Sequence, residues 1–238
     1  THVGGNDPFS YNITPFLNGE KKLQELELSV WDPTDTGTQP RGKQTLRPRG
    51  IWYSAVSGIW QTVWLEAVSS EAYINQVKTT TDIDNSTVRL IPISNVTLID
   101  GYQVAIDVFF DDKKVNSGIT QPNTPVELKI DNAQLWSPDH PHLYDVKMHL
   151  VNPSGMVIDR VESYFGMRKI SLGDHKGVKY LFLNNAPLFH YGPLDQGWWP
   201  DGLLTPPSDE AMRYDIEMTK AMGFNMIRKH VKIEPDRW

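Results

Sequence analysis

The chain has 238 residues, 39% of them hydrophobic and 22% charged, and carries a formal net charge of −6. No apolar run approaches the roughly 20 residues of a bilayer-spanning helix, which argues against a membrane protein. Its Lys and Arg residues are scattered rather than clustered, which argues against a nucleic-acid partner. The absence of Cys excludes disulfides, thiolate metal sites and a Cys nucleophile, and leaves the cellular compartment open.

Two stretches in the N-terminal part alternate between apolar and polar side chains. Residues 22–31 and 59–68 have the two-residue period of a β-strand, and the second stretch carries large apolar groups on both faces. Its Trp60 and Trp64 are predicted to lie in a core. The segment 32–50 between them is rich in Pro, Gly, Thr and Arg and is predicted to be a long loop, either functional or disordered.

Short strands separated by turn signals dominate the middle of the chain. Turn-forming pairs such as Asp84-Asn85 and Asp111-Asp112 interrupt the apolar pattern, and no helical period is present. The predicted strands span residues 74–82, 87–92, 103–110, 124–130, 144–151 and 157–165. Their number and spacing predict an antiparallel β-sandwich.

A different pattern begins after Gly166. Asn184-Asn185, a pair that tolerates the positive φ of a primed turn, joins two short apolar runs at 180–183 and 187–191, and this predicts a β-hairpin. Residues 192–207 are predicted to be a loop.

A capped helix follows that loop. Ser208 can cap it, Gly223 can end it, and one face is apolar, which predicts a helix between them. The residues of that face are Met212, Ile216, Thr219 and Met222. A buried strand is predicted at 224–230, and the order strand, loop, helix, strand predicts a βαβ unit with parallel strands.

Three groups of motifs follow one another along the chain. The first comprises Asp7-Pro-Phe-Ser-Tyr-Asn-Ile-Thr14, Trp31-Asp-Pro-Thr-Asp35, Gln39-Pro-Arg-Gly-Lys43 and Gly58-Ile-Trp-Gln-Thr-Val-Trp-Leu-Glu66. The second comprises Leu135-Trp-Ser-Pro138, Pro141-His-Leu-Tyr144 and Phe165-Gly-Met-Arg168. The third comprises Phe182-Leu-Asn184 to Gly192, Asp209-Glu210, Asp215-Ile216 and Gly223-Phe-Asn-Met-Ile-Arg228. In content and order these motifs resemble glycoside hydrolase family 2, the family of the β-galactosidases.

This resemblance implies a mainly β fold with three parts. Residues 1–68 would be the C-terminal part of a sugar-binding jelly-roll domain, residues 69–166 an immunoglobulin-like β-sandwich, and residues 167–238 the first βαβ unit of a truncated (β/α)₈ barrel. The first residues include neither Met nor a signal-like pattern, so we expect that a segment precedes Thr1. An incomplete barrel would expose apolar surface and a strand edge, so self-association through it is expected.

The resemblance also implies a retaining β-glycosidase that acts on oligosaccharides. Such enzymes use two carboxyl groups about 5 to 5.5 Å apart, and in this family both are glutamates on later barrel strands, the acid/base preceded by Asn. The chain contains no Asn-Glu pair, so we expect the catalytic glutamates beyond Trp238 and an isolated chain that is inactive on glycosides. No cofactor and no metal are expected. After Arg228 the chain lacks the Ser-His-Tyr-Pro type of sequence of the β-galactosidase and β-glucuronidase branches, which leaves the sugar and linkage open.

Residues 192–202 are predicted to border the substrate site, because barrel active sites lie at the carboxyl ends of the strands. Trp rings suit the C–H face of a sugar, and Asp and Gln suit its hydroxyl groups. The substrate-binding candidates are Asp195, Gln196, Trp198, Trp199, Asp201, Arg228 and His230.

Each candidate also has a structural interpretation. The two Trp rings can pack the loop, Arg228 can form an ion pair, and His230 can be an ordinary polar residue. Asp35, Arg41 and Lys43 on the long loop can reach the barrel mouth or simply be solvated.

Two other functions stay open. The same β-domains could serve as a non-catalytic carbohydrate-binding or scaffold protein. A hydrolase of activated esters using His190 or His230 is less favoured, because the sequence has no Gly-x-Ser-x-Gly elbow and no recognisable Ser-His pair.

Overall fold

The computed structural model describes residues 1–19, 22–97 and 100–238, and the fold is mainly β. Its strands are β1 (Gln44–Thr45), β2 (Tyr53–Ser54), β3 (Ile74–Asp82), β4 (Thr87–Ser94), β5 (Gln103–Phe110), β6 (Lys113–Thr120), β7 (Val126–Lys129), β8 (Tyr144–Val151), β9 (Val157–Phe165), β10 (Ile170–His175), β11 (Val178–Leu183), β12 (Ala186–Pro187), β13 (Leu194–Asp195) and β14 (Arg228–Lys229). Its helices are the α-helix α1 (Asp209–Ala221) and a 3₁₀-helix at Thr14–Phe16. Within the described ranges, no helix is long and apolar enough to cross a membrane.

Backbone contacts divide the chain into two compact units. Residues 65–190 form one unit, here called the sandwich unit. Residues 1–64 and 191–238 form the other, here called the split unit. The predicted domain boundaries near residues 68 and 166 stay a prediction.

Two antiparallel sheets form the sandwich of this unit, which also contains the smaller sheet β10-β11-β12. One has the strand order β3-β4-β7 and the other β6-β5-β8-β9. Alternate residues of the central strands β4, β5 and β8 point to a shared core, as in β8, where every second side chain from Tyr144 to Leu150 is buried. Leu90 of one sheet and Ile106 and Met148 of the other are at most 1% exposed in this core. The predicted strands 74–82, 103–110, 144–151 and 157–165 are confirmed to the residue.

The strand β6 did not emerge from the sequence. It lies at the edge of its sheet and pairs with β5 alone. An edge strand carries few buried side chains, and the residues of Lys113–Thr120 are mostly polar and exposed. The apolar alternation that reveals a central strand is therefore absent from this one.

The predicted hairpin at Asn184-Asn185 is confirmed. Strands β11 and β12 pair across it, and the two Asn residues have φ of 50° and 65°, as a primed turn requires. The side chain of Asn184 also accepts a hydrogen bond from Lys169 N at 3.0 Å and donates one to Trp136 O at 2.9 Å. The hairpin sheet has a further strand, β10, that the sequence reasoning missed.

The predicted strands at 22–31 and 59–68 are wrong. No residue of either stretch is in a strand, and Leu23, Leu26 and Trp64 are 94%, 77% and 70% exposed. Alternation reports the two faces of an extended chain, but a strand forms only when a neighbour satisfies its backbone hydrogen bonds. Trp64 therefore does not lie in a core, whereas Trp60 is half-buried and its Nε1 donates to Gly5 O at 2.8 Å.

The predicted capped helix and parallel pairing are confirmed. Ser208 caps α1 by accepting from Ala211 N, and β13 and β14 pair in parallel with α1 between them, which makes a βαβ crossover. The prediction of a buried strand at 224–230 is wrong in extent and burial, because only Arg228–Lys229 is a strand and no residue of the stretch is fully buried. On the helix, Met212 is buried but Ile216 and Met222 are 43% and 65% exposed, and self-association through this face stays a prediction.

Candidate substrate site

The candidate site begins where the two parallel strands β13 and β14 end. Arg228 N donates to Pro193 O at 3.0 Å and His230 N donates to Asp195 O at 2.8 Å, which fixes the register of the pair. Gly192 allows this close approach, since a Cβ there would lie 1.8 Å from Met226 O. Ligands of parallel α/β sheets bind at the carboxyl ends of the strands, where the residues after Asp195 and Lys229 lie.

A tight turn follows β13 at Gly197. Its backbone N donates to Asp195 Oδ1 at 2.7 Å, and its φ of +61° favours glycine. The other Asp195 oxygen forms an ion pair with Lys229. Both carboxylate oxygens of Asp195 therefore hold the turn and the neighbouring strand.

A cluster of four charged side chains lies beneath this turn, and we call it the charged cluster: Asp195, Lys229, Lys232 and Glu234. Glu234 lies between the two lysines, with Oε1 2.7 Å from Lys229 Nζ and Oε2 3.1 Å from Lys232 Nζ. These contacts are ion pairs without hydrogen-bond geometry. Lys232 Nζ also donates to Gly197 O at 2.9 Å, which ties the cluster to the turn.

Burial gives the charged cluster its electrostatic character. The side chains of Lys232 and Glu234 are only 2% and 8% exposed. Desolvation lowers the pKa of Lys232, and the neighbouring Glu234 carboxylate opposes that shift. On α1, desolvation raises the pKa of Asp215, and the Asp195 carboxylate raises it further. Charges buried this deeply are costly unless paired, so each member depends on the others.

Aromatic rings cover the charged cluster. Lys229 Nζ lies 4.5 Å from the centre of the Trp238 ring, and Lys232 Nζ lies 5.5 Å from that of Trp60. Both distances are within the range of a cation–π contact. The rings stabilise the ammonium groups where water is scarce.

The loop after β13 presents an aromatic pair. The Trp198 ring stacks on Tyr53 of β2 with centroids 4.3 Å apart and planes 10° from parallel. The Tyr53 hydroxyl donates to Gln196 Oε1 at 3.2 Å, so Gln196 and Trp198 contact the same tyrosine. This stack covers one face of Trp198 and fixes the plane of its indole.

The remaining predicted residues are less closely connected. Trp199 exchanges two backbone hydrogen bonds with Leu203, at 2.8 and 3.0 Å, which close a small loop. Asp201 and Arg228 are exposed, and His230 is half-buried. In the part of the chain that the structure describes, no side-chain hydrogen bond or ion pair joins Asp201, Arg228 or His230 to the loop after β13.

Sequence reasoning found Asp195, Gln196 and Trp198 but missed their partners. Tyr53 comes from the other end of the chain, and nothing in its local sequence points to Trp198. Lys232 and Glu234 follow β14 in a segment whose departure from the family pattern was visible, although their ion pairing was not. Contacts between distant segments carry no local signal.

Comparison with known proteins agrees with the similarity to glycosyl hydrolases family 2 in the middle of the chain. Residues 72–168 match the family described as Glycosyl hydrolases family 2. The chain is 25% identical over 239 residues to a β-galactosidase of Thermoanaerobacter pseudethanolicus, covering 95% of this chain and 30% of that protein. It is 31% identical over 113 residues to a β-galactosidase of Lactococcus lactis subsp. lactis, covering 47% of this chain and 11% of that protein.

A solved structure shows the same fold. The β-glucuronidase from Ruminococcus gnavus in complex with D-glucaro-d-lactam aligns with a TM-score of 0.56 at 16% identity, covering 67% of this chain and 26% of that one. The chain thus spans less than a third of the length of these relatives. By fold, this is a mainly β protein. Residues 72–168 form a domain of glycosyl hydrolases family 2.

Proposed function

We propose that this chain is part of a retaining β-glycosidase that acts on β-linked oligosaccharides. The observation that carries the proposal is the extent of the similarity to a β-galactosidase, which covers 95% of this chain. It therefore extends beyond the family domain into the split unit, where β13, β14 and the Trp198 loop lie. In this proposal the catalytic glutamates belong to a segment outside residues 1–238, since the chain has no Asn-Glu pair.

The proposed domains follow the order of the motifs. We assign residues 1–68 to the end of a jelly-roll domain, 69–166 to an immunoglobulin-like sandwich and 167–238 to the first βαβ unit of a (β/α)₈ barrel. The sheets of three and four strands support the second assignment. The parallel pair β13-β14 with α1 between its strands supports the third.

We assign the sugar contacts to Trp198 and Gln196. Tyr53 covers one face of Trp198, and the other face is suited to the C–H surface of a sugar ring. Gln196 accepts from Tyr53 through Oε1, and its amide NH₂ group is the donor for a sugar hydroxyl. Asp195 acts as a positioning residue, because both of its oxygens hold the turn and β14. Trp199, Asp201, Arg228 and His230 stay candidates for contacts further along the substrate.

Binding and turnover measurements on the full 238-residue chain test this assignment. We expect calorimetry with lactose and methyl β-glucuronide to detect binding by the wild type. Trp198→Ala should weaken it by about 2- to 12-fold, given about 0.5–1.5 kcal/mol for a stacking contact. Trp31→Ala is the matched control, since Trp31 is 87% exposed in the same unit.

Two results would contradict the proposal. Equal affinities of wild type and Trp198→Ala, with both proteins folded, would exclude Trp198 as the sugar platform. Turnover of a chromogenic β-galactoside by this chain, abolished by a substitution within it, would show that the catalytic groups lie inside residues 1–238. The expected turnover is none.

A further inference from the structure

An open depression of about 540 Å³ lies in the split unit, outside the loop after β13 and the charged cluster. Its lining comprises Asp35, Arg41, Thr45, Leu46, Arg47, Arg49 and Trp52. Three of these seven residues are arginines, although the chain as a whole has a net charge of −6. The depression falls in the segment that the sequence predicted to be either a functional or a disordered loop.

The loop around the depression is held by specific contacts. Asp35 Oδ2 accepts hydrogen bonds from Thr45 Oγ1 at 2.7 Å and Leu46 N at 3.1 Å. These bonds lower the pKa of Asp35, so its carboxylate stays ionised and engaged. Gly42, at φ +56°, lies so close to the segment after β14 that a Cβ would be 2.5 Å from Val231 O. The parallel pairing of β1 with β2 closes the loop.

The arginines are placed to receive an anion. The Arg41 guanidinium lies over the Trp52 ring, 4.8 Å from its centre, and its Nη1 donates to Asp35 O at 3.3 Å. Stacking uses the face of a guanidinium and leaves N–H donors at its edge. Across residues 1–19, 22–97 and 100–238, no ion pair includes Arg41, Arg47 or Arg49. An oxyanion bound among them would accept bidentate, charge-assisted hydrogen bonds from their guanidinium groups.

The depression neighbours the proposed sugar platform. Trp52 lines it, and the next residue, Tyr53, stacks on Trp198. Trp52 and Tyr53 are neighbours in the chain, and successive side chains of an extended segment point to opposite sides. The depression and the stack are therefore expected on opposite sides of the same short segment. The volume of about 540 Å³ lies within the usual range for small-ligand sites, roughly 300–1,000 Å³, which is ample for a sugar unit.

We propose that this depression binds an anionic substituent of the oligosaccharide, either the carboxylate of a uronic acid or a sulfate ester. That the anion is attached to a carbohydrate rests on the proposed function. The recognition itself rests on Arg41, Arg47 and Arg49, with Trp52 holding Arg41 in place. The arginines select acidic over neutral oligosaccharides. The contacts to the neutral sugar ring are made by Trp198.

The test compares matched acidic and neutral ligands on the full 238-residue chain by calorimetry. The ligands are a β-linked glucuronate disaccharide, a sulfated β-linked disaccharide, their neutral counterparts and inorganic sulfate. The variants are Arg47→Gln/Arg49→Gln and, as a control with the same change in charge, Arg89→Gln/Arg160→Gln on exposed arginines of the sandwich unit. Trp198→Ala completes the set.

We expect at least one acidic disaccharide to bind about 10-fold or more tightly than its neutral counterpart, consistent with charge-assisted bonds. Arg47→Gln/Arg49→Gln should abolish that preference without changing neutral binding, and the control pair should keep it. The preference should also shrink as salt rises from low to physiological, because the depression is open to solvent. Which acidic ligand is preferred identifies the carboxylate or the sulfate ester.

The possible failures are distinguishable. Equal binding of acidic and neutral ligands, or a preference that survives the arginine substitutions, overturns this inference and leaves the proposed function intact. Arginine-dependent binding of inorganic sulfate, without binding of any disaccharide, overturns the link to carbohydrate. No binding of any ligand to the wild type contradicts both the inference and the proposed function. Neutral binding that Trp198→Ala leaves unchanged contradicts the proposed function alone.

Discussion

Different interactions stabilise the sandwich unit and the split unit, each within itself. Among the described residues, every buried aliphatic, aromatic or Met side chain lies in the sandwich unit except Met212 and Pro206. The split unit instead exposes large apolar groups, including Trp31 and Trp64 at 87% and 70%, and contains a buried ion pair and a half-buried stacked aromatic pair. The stability of a hydrophobic core comes from non-directional burial of apolar area. A buried ion pair stabilises the fold only when both partners are present and charged.

This difference indicates that the two units have different roles. The sandwich unit has the continuous hydrophobic core of a scaffold. The split unit carries the candidate contacts at Gln196 and Trp198. Functional sites are commonly built from such less densely packed segments, because the side chains that bind ligands cannot be committed to a core.

The largest effect is expected in the core of the sandwich unit. Leu90→Ala should lower the free energy of unfolding of this unit by about 2–5 kcal/mol, because the residue is 0% exposed and its loss leaves a cavity. Chemical denaturation monitors the change. Leu172→Ala is the control, at 76% exposure, and should stay within about 0.5 kcal/mol of the wild type. Equal effects of the two substitutions would contradict the claim that the hydrophobic core stabilises this unit.

A smaller effect is expected in the charged cluster. Glu234→Gln removes the charge shared by Lys229 and Lys232 and should destabilise the split unit by about 1–3 kcal/mol, because the buried ammonium group of Lys232 loses its compensating carboxylate. Hydrogen exchange in residues 191–238 measures it, and Glu27→Gln on an exposed residue is the control. A split unit that is as stable in Glu234→Gln as in the wild type would mean that the charged cluster does not contribute to its stability.

The contact between Gly42 and Val231 allows a matched comparison of two glycines. Gly42 and Gly50 have similar φ, +56° and +58°, but only Gly42 lacks room for a Cβ. Each change to Ala costs about 1–2 kcal/mol for the left-handed conformation, and Gly42→Ala should cost more because of the clash with Val231 O. Thermal unfolding of both variants gives the difference, and the absence of any difference would argue against this contact.

The smallest expected effect concerns pH. Desolvation lowers the pKa of Lys232 in the folded chain below its ordinary value of 10.5. Between these two pKa values the unfolded state binds more protons, so the contribution of Lys232 to stability should rise with pH across that window. Lys232→Met should flatten the alkaline rise in the stability of the split unit, whereas Lys22→Met on an exposed residue should not. A slope unchanged in Lys232→Met would refute the linkage.

The two units also differ in how far the sequence predicts them. Strands such as Tyr144–Val151 were predictable because one face is buried and the other is not, which imposes a two-residue period. Lys113–Thr120 escaped notice because an edge strand has no such contrast. Ser208 and Asn184-Asn185 were predictable because capping and positive φ are local requirements.

The site was predictable only in part. Gln196 and Trp198 were found because their loop follows a parallel strand, a position that favours ligand contacts. Tyr53, Lys232 and Glu234 were not found, because their contacts with the loop arise from tertiary packing between distant segments. The alternation in residues 59–68 misled for the same reason, since pairing partners are not written in the local sequence.

Hydrogen exchange measured with and without sugar tests the central claim most directly, that the split unit binds carbohydrate while the sandwich unit serves as scaffold. The full chain is compared alone and with saturating lactose or methyl β-glucuronide. The account predicts slow exchange in β5 and β8 that sugar leaves unchanged, and faster exchange in residues 191–203 and around Tyr53 that sugar slows. Protection gained only in residues 65–190, or slow exchange throughout the split unit without any response to sugar, would contradict it.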